Sequence, residues 1–265
     1  MIGVLDSGIG GLNILSAIHR IIPDTPLVFF SDTNYFPYGN KSKAVLLERC
    51  QQVIESIVAD FEITLLVLAC NTITTEIISE LRSHYSLPII GIEPGIKPAV
   101  LLSKTGKIAV LATPTTISSA RYKWLKKQYA KNNIIIDVPA PRLADLIEKQ
   151  DQNTIQAYIR NIFKDHLSND SAPQTFDTLV LGCTHYPFIK NDLTDLFGEQ
   201  VQIIDPSEAV ARQTKKMYYE ECPAVNQTPE ITFITNGCHM KFKKTLKSLP
   251  LPFFVEPLNF VRLDI

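Results

Sequence analysis

The sequence predicts an α/β fold of two pseudo-symmetric domains, each with a mostly parallel sheet flanked by helices. Three observations carry that expectation. Short runs rich in β-branched residues alternate with longer amphipathic stretches. The runs are apolar at nearly every position. Similar segments recur in the same order in the two halves of the chain. A strand buried on both faces reads as a continuous apolar run, and sheets of such strands are parallel and covered by helices on both sides.

The first run is Ile2–Leu5, followed by a helical pattern over Leu12–Ile22. Leu27–Phe30 comes next, then a long helical pattern over Lys43–Asp60. Leu65–Ala69 precedes a helix over Thr74–His84, and Pro88–Gly91 closes the first series. The second series starts at Ile108–Ala112, continues through a helical pattern over Thr116–Lys131 to Ile134–Val138, and then through Thr154–Leu167 to Thr178–Leu181 and Val201–Ile204. After Ser207–Glu220 come one more strand, Ile231–Ile234, and a final helix. Each strand–helix alternation fits a crossover unit of a parallel sheet.

Leu66-Val-Leu-Ala-Cys-Asn-Thr72 resembles Leu179-Val-Leu-Gly-Cys-Thr-His185, an offset of 113 (183 − 70). Ile2-Gly-Val-Leu-Asp6 resembles Ile108-Ala-Val-Leu-Ala112, an offset of 106 (108 − 2), and Leu27–Phe30 and Ile134–Ile136 are similarly separated. Two related halves follow. Glu93-Pro-Gly-Ile-Lys-Pro98, with two prolines and a glycine to break helix and strand, marks the join. Asp205-Pro-Ser207 marks a second crossing, with Ser207 placed to cap a helix. The expected domains are residues 1–95 with 207–265, a discontinuous unit, and residues 96–206.

The chain has 265 residues, 45% hydrophobic and 20% charged, with a net charge of −1. That balance gives no surface for nucleic acid or anionic membrane. The sequence opens directly on an apolar strand, with no signal-like leader or bilayer-length apolar run, so a cytoplasmic location is expected. Five cysteines, in a chain too large to need disulfide staples, are expected to be thiols.

In such folds ligands lie beyond the carboxyl ends of the strands. Cys70 and Cys183 both sit there, after a strand and before a helical segment, where oriented N–H groups favour a thiolate. A place in the core explains one such cysteine; it does not explain two at matching points. Asn71, Thr72, Thr74 and Thr75 follow the first, and Thr184 and His185 the second, a supply of donors suited to a carboxylate or amino group. His185 is placed to orient a substrate group or poise the thiol.

Asp6-Ser-Gly-Ile-Gly-Gly-Leu12 ends the first strand. Its glycines fit neither the dinucleotide fingerprint nor the phosphate-binding P-loop, and Asp6 suits an ammonium group or a proton relay better than a phosphate. Ser31-Asp-Thr-Asn-Tyr-Phe-Pro-Tyr-Gly39 falls at the same edge, with Tyr38 and Gly39 placed to close over a small ligand. Cys50, Cys222 and Cys238-His239 are weaker candidates, and no metal-ligand spacing completes a zinc site around Cys183-x-His185. No cofactor is expected. A pair of thiols on opposite sides of one carbon suits inversion of a stereocentre: one thiolate removes the α-proton, and the opposite thiol protonates the other face.

Asp6-Ser-Gly-Ile-Gly-Gly-Leu12, Pro37-Tyr-Gly39, Ala69-Cys-Asn-Thr72, Glu93-Pro-Gly95 and Gly182-Cys-Thr-His-Tyr-Pro187 together resemble bacterial glutamate racemase, in the family's order and across nearly the whole chain. The resemblance implies a cofactor-independent enzyme that makes D-glutamate for peptidoglycan, with its site between two domains and usually a homodimer. It implies Cys70 and Cys183 as the acid/base pair, assisted by Asp6 and His185. Ser7, Tyr38, Gly39, Asn71, Thr72 and Thr184 would bind substrate, alongside Asp6 and His185. The approach to an acidic residue of the second half departs from the family pattern, reading Pro139-Ala-Pro-Arg-Leu-Ala-Asp-Leu-Ile-Glu148, with Glu148 as its counterpart. Some members carry an N-terminal extension tied to activation by a cell-wall precursor, a control not expected for a sequence that opens on its first strand. The rival readings are a racemase for aspartate or a related amino acid, and a non-catalytic protein that binds a small acid.

Overall fold

The computed structural model describes residues 1–167, 175–221, 229–249 and 259–262. It divides into two compact units, Met1–Ile92 with Ser207–Ile265, and Glu93–Pro206.

The first unit starts with β1 (Ile2–Asp6), α1 (Leu12–Ile21), β2 (Leu27–Ser31), α2 (Lys43–Asp60), β3 (Leu65–Leu68), α3 (Asn71–His84) and β4 (Ile89–Gly91). The second contains α4 (Ile96–Leu102), β5 (Lys107–Ala112), α5 (Pro114–Ser118), α6 (Ala120–Tyr129), β6 (Ile134–Pro139), α7 (Leu143–Lys149), α8 (Gln152–Ile162), β7 (Thr178–Gly182), α9 (Lys190–Phe197) and β8 (Gln202–Ile204). The chain then returns to the first unit as α10 (Ser207–Glu221), β9 (Ile231–Thr235), α11 (His239–Ser248) and β10 (Asn259–Arg262).

The first sheet has the order β10-β9-β2-β1-β3-β4 and the second β6-β5-β7-β8. Every pairing between described strands is parallel. Removing β10 and β9 leaves β2-β1-β3-β4, the same winding as β6-β5-β7-β8. The repeats therefore map strand onto strand: β1 on β5, β2 on β6, β3 on β7, β4 on β8.

Burial explains the unbroken apolar runs. In β5, Ala109 and Leu111 face a core formed with α7, α8 and α9, while Ile108, Val110 and Ala112 face another formed with α4 and α6. Val180 of β7 points to the second core and Leu179 and Leu181 to the first. In the first unit, Leu5, Val28, Phe30, Leu66 and Leu68 pack against α2 and α3, while Phe29 stacks on Phe242 of α11 and meets Phe233 of β9 edge-on. The returning α10 packs along α1.

Four expectations are corrected. The stretch Thr116–Lys131 is two helices, because the Ser119 hydroxyl accepts from the Tyr122 N–H and starts α6 afresh. Pro98 does not break a helix; it lies in the first turn of α4, where a proline removes no intrahelical bond. A strand, β10, follows the last helix and pairs with β9. Ser207, expected as a cap, is the first residue of α10. Cys222 lies outside the described residues. Among the described residues no helix is long and apolar enough to cross a membrane.

Candidate active site

The sequence-derived site residues fall at strand ends in both units. Asp6, Ser7, Tyr38, Gly39, Cys70, Asn71 and Thr72 belong to the first; Cys183, Thr184 and His185 belong to the second.

Asp6 is the last residue of β1 and is fully buried. Its carboxylate accepts from the Gly8 N–H at 2.8 Å and from the Ser7 hydroxyl at 3.2 Å, which fixes its direction. The neighbouring turn needs glycine for space: a Cβ on Gly11 would lie 2.8 Å from the Asp6 Cβ and 2.9 Å from that of Ala69. Gly11 thus lets α1 start hard against the ends of β1 and β3.

Cys70 follows β3 and is the N-cap of α3, only 6% exposed. Cys70 therefore sits at the N-terminus of α3, the end of a helix whose dipole favours negative charge. Asn71 is buried; its Nδ2 donates to the Ile92 carbonyl at 3.4 Å, and its Oδ1 has no hydrogen-bond partner. A buried acceptor without a donor costs free energy unless a ligand satisfies it. Thr72 is buried beside it. Thr74 and Thr75, expected as ligand donors, are instead structural. The Thr74 hydroxyl donates to the Leu68 carbonyl and accepts from the Ile92 N–H, and the Thr75 hydroxyl donates to the Asn71 carbonyl.

Tyr38 is not a closing flap. Its side chain is buried in the cluster that holds Cys50 and Cys70, and its hydroxyl donates to Asp32 Oδ2 at 2.5 Å. Burial, then the neighbouring Cys50, Asp32 and Cys70, push that hydroxyl well above the ordinary phenol range, so it stays a donor. Gly39 is half-buried in the same turn. Burial also pushes the Cys50 thiol far up, as befits an inert core residue; Cys238 is exposed.

In the second unit Cys183 follows β7, the counterpart of β3, and is 9% exposed. Here Gly182 is needed: a Cβ would lie 2.8 Å from the Ala112 Cβ on the neighbouring strand. The correspondence with Cys70 is not complete. A 3-10 turn, Tyr186–Ile189, intervenes before α9, so no long helix starts at Cys183. A different neighbour takes that place. His185 Nδ1 lies 3.8 Å from the Cys183 sulfur, and His185 Nε2 lies 2.8 Å from Glu148 Oε1 on α7. Burial works against a charged imidazolium, but the Cys183 sulfur and the Glu148 carboxylate, on either side of the ring, outweigh it. They hold the His185 pKa well above the usual histidine value. Tyr186 closes this cluster from the core side; its hydroxyl donates to the Ala140 carbonyl, and burial beside Cys183 holds its pKa high. Thr184 is buried next to both.

The raised His185 pKa has a measurable sign. Its contribution to stability is complete below about pH 6.5, the unfolded value, and is lost as pH rises through the folded value. In Glu148→Gln the imidazole should lose its proton at lower pH than in the parent, followed by NMR titration of the ring. Coincident titration curves would show that Glu148 does not hold the proton there.

Among the described residues no group of three or more His, Cys, Asp or Glu side chains is arranged to hold a metal ion.

The family model described as Asp/Glu/Hydantoin racemase matches residues 3–214. The chain belongs to the Asp/Glu/hydantoin racemase family. Like other members of that racemase family, it is an isomerase. Over 218 residues it is 40% identical to glutamate racemase of Clostridium acetobutylicum, an alignment covering 81% of this chain and 82% of that one. Its fold is similar to that of Escherichia coli glutamate racemase in complex with L-glutamate and the activator UDP-MurNAc-ala. The TM-score is 0.88 at 26% identity, with 99% of this chain and 97% of that one covered. It is also similar to Francisella tularensis glutamate racemase in complex with D-glutamate, with TM-score 0.79, 25% identity and coverage of 99% and 96%.

Sequence reasoning missed Asp32, Arg49 and Asn236. Asp32 lies within the polar loop 31–39 but carries no chemical signature of its own. Arg49 and Asn236 are 17 and 204 residues away from it, and only the fold brings the three together.

Proposed function

We propose that this racemase interconverts L- and D-glutamate by a two-base reaction in which Cys70 and Cys183 serve opposite faces of the α-carbon. The observation that carries the reading is the placement of two buried cysteines at the ends of β3 and β7, equivalent strands of two sheets with one winding order. The names of the relatives supply the substrate.

In the forward direction one cysteine, as thiolate, takes the α-proton, and the electron pair passes into the substrate carboxylate as an enediolate. The opposite thiol then gives its proton to the other face, leaving the second sulfur as thiolate and the first as thiol. The reverse reaction exchanges these roles. The α-proton is weakly acidic, so negative charge on the carboxylate needs fixed donors. The hydroxyls of Ser7, Thr72 and Thr184 and the N–H groups of the Tyr38–Gly39 turn would serve there. The unpartnered Asn71 Oδ1 suits the substrate ammonium group. Asp6 would assist Cys70, and His185, held by Glu148, would assist Cys183. The reading requires the two units, Met1–Ile92 with Ser207–Ile265 and Glu93–Pro206, to present their half-sites to one substrate from which water is excluded. It also places the protein in the cytoplasm, as a homodimer that supplies D-glutamate for peptidoglycan.

The test is direct. Purified protein is incubated separately with L-glutamate and L-aspartate, and each enantiomer is quantified by chiral chromatography. Glutamate should reach an equal mixture with no cofactor added, and aspartate should turn over much more slowly. Preferential racemisation of aspartate would reassign the substrate, and turnover of neither would overturn the reading. One methylene is worth only about 10- to 200-fold in discrimination, so slow aspartate turnover is compatible with it.

A further inference from the structure

Behind the first half-site lies a buried polar hub that the reaction as described does not use. Asp32 follows β2 and is fully buried. A carboxylate has about four lone-pair sites, and here each oxygen has two donors. Oδ1 accepts from Arg49 Nη2 at 2.7 Å and from Asn236 Nδ2 at 2.6 Å. Oδ2 accepts from Arg49 Nε at 2.9 Å and from the Tyr38 hydroxyl at 2.5 Å. The Asp32 N–H donates to the Asp6 carbonyl at 2.9 Å, so one residue joins the end of β1 to the turn carrying Tyr38 and Gly39.

The donors come from distant parts of the first unit. Arg49 reaches in from α2, its guanidinium also stacked 4.2 Å from the Tyr35 ring centroid. Asn236 follows β9, in the segment that returns after the second unit. It pins the loop twice more: its Oδ1 accepts from the Asn34 N–H at 3.2 Å, and its carbonyl accepts from Asn34 Nδ2 at 2.5 Å. Next to it, the Thr33 and Thr235 hydroxyls share a hydrogen bond at 3.0 Å. The turn so anchored, Tyr38–Asn40, packs on α3, the helix that begins at Cys70.

We infer that Arg49 and Asn236 are positioning residues for the racemase reaction: by saturating Asp32 they hold Tyr38, and through it the Tyr38–Gly39 turn, in place beside Cys70 and Asp6. The inference rests on the two-cysteine glutamate reading. It explains why a charged pair is kept in a core where apolar residues of the same volume would pack without desolvation cost. It also gives the returning segment a part in the site, since β9 pairs with β2 and the residue after it sets the geometry of a substrate-binding turn.

The test compares Asn236→Ala, Tyr38→Phe and the double variant. KM and kcat for L- and D-glutamate are measured below the unfolding transition of each, with melting temperatures recorded in parallel. Asn236→Ala and Tyr38→Phe should each raise KM by about tenfold, and the double variant by about tenfold as well, because both act on one linkage. The two directions must change together in kcat/KM, since enantiomers have equal free energy. A lower melting temperature with unchanged KM would make Asn236 merely structural and overturn the inference. An additive rise of about a hundredfold in the double variant would overturn the route through Tyr38. If Asn236→Ala is not recovered folded, Asn236→Ser, which keeps a small donor, makes the same comparison. Parent protein that racemises glutamate, with that activity lost in Cys70→Ser and Cys183→Ser, secures the functional reading independently; an unmoved KM then counts against the positioning role alone. Parent protein without activity overturns both.

Discussion

Cys183→Ser and Cys70→Ser should each lower kcat/KM for glutamate by about 10²- to 10⁴-fold in both directions, the usual range for loss of a positioned acid or base. Serine occupies almost the same space, and both sites are buried among side chains that the change leaves untouched. The fold should survive, with melting temperature within a few degrees of the parent. What is lost is acidity: an alcohol is far weaker than a thiol, so it neither ionises to remove the α-proton nor releases one readily to the opposite face. Because the proposed reaction uses each cysteine as base in one direction and acid in the other, neither variant should keep a favoured direction in kcat/KM. Full activity in either variant, assayed by chiral chromatography, would remove that sulfur from the reaction.

The largest stability effect is expected at Arg49. Arg49→Met leaves the Asp32 carboxylate buried with two neutral donors and no countercharge. Breaking a buried ion pair from one side costs about 3–5 kcal/mol, which for a chain of this size lowers the melting temperature by roughly 10 °C. The double variant Asp32→Asn/Arg49→Met should recover part of that loss, because the uncompensated charge is gone. Urea denaturation of the three proteins measures it. A loss in Arg49→Met below about 1 kcal/mol, the typical value of a surface pair, would mean that water reaches Asp32 on substitution.

How much of this was legible in the sequence depended on the range of the interactions. The parallel sheets were legible because burial on both faces writes itself into consecutive residues, as in Lys107–Ala112 and Thr178–Gly182. The duplication was legible because it repeats those runs with a cysteine after each of the third strands. Short and mixed elements were not. Asn259–Arg262 has polar ends and becomes a strand only through its partner β9. At Ser119 a single hydroxyl divided what apolar spacing reads as one helix. The polar run after Cys70 was half legible: residue type alone does not separate Asn71, whose Oδ1 lacks a partner, from Thr74 and Thr75, whose hydroxyls are bound to backbone. The link from Cys183 through His185 to Glu148 spans 37 residues at its last step; the resemblance offered Glu148 as an acid, but only the fold joins it to His185.

The central claim is that two different sulfurs serve the two faces of one carbon, and solvent deuterium tests it most directly. L-Glutamate is incubated in D2O with the protein, and the two enantiomers are separated at low conversion for mass spectrometry. Each thiol carries a single hydrogen, so a proton taken by one sulfur cannot be delivered by the other. The account predicts that the first D-glutamate formed carries deuterium at the α-carbon, while the remaining L-glutamate keeps its original proton. Early D-glutamate that retains the substrate's own α-proton would show one base serving both faces, and would contradict it.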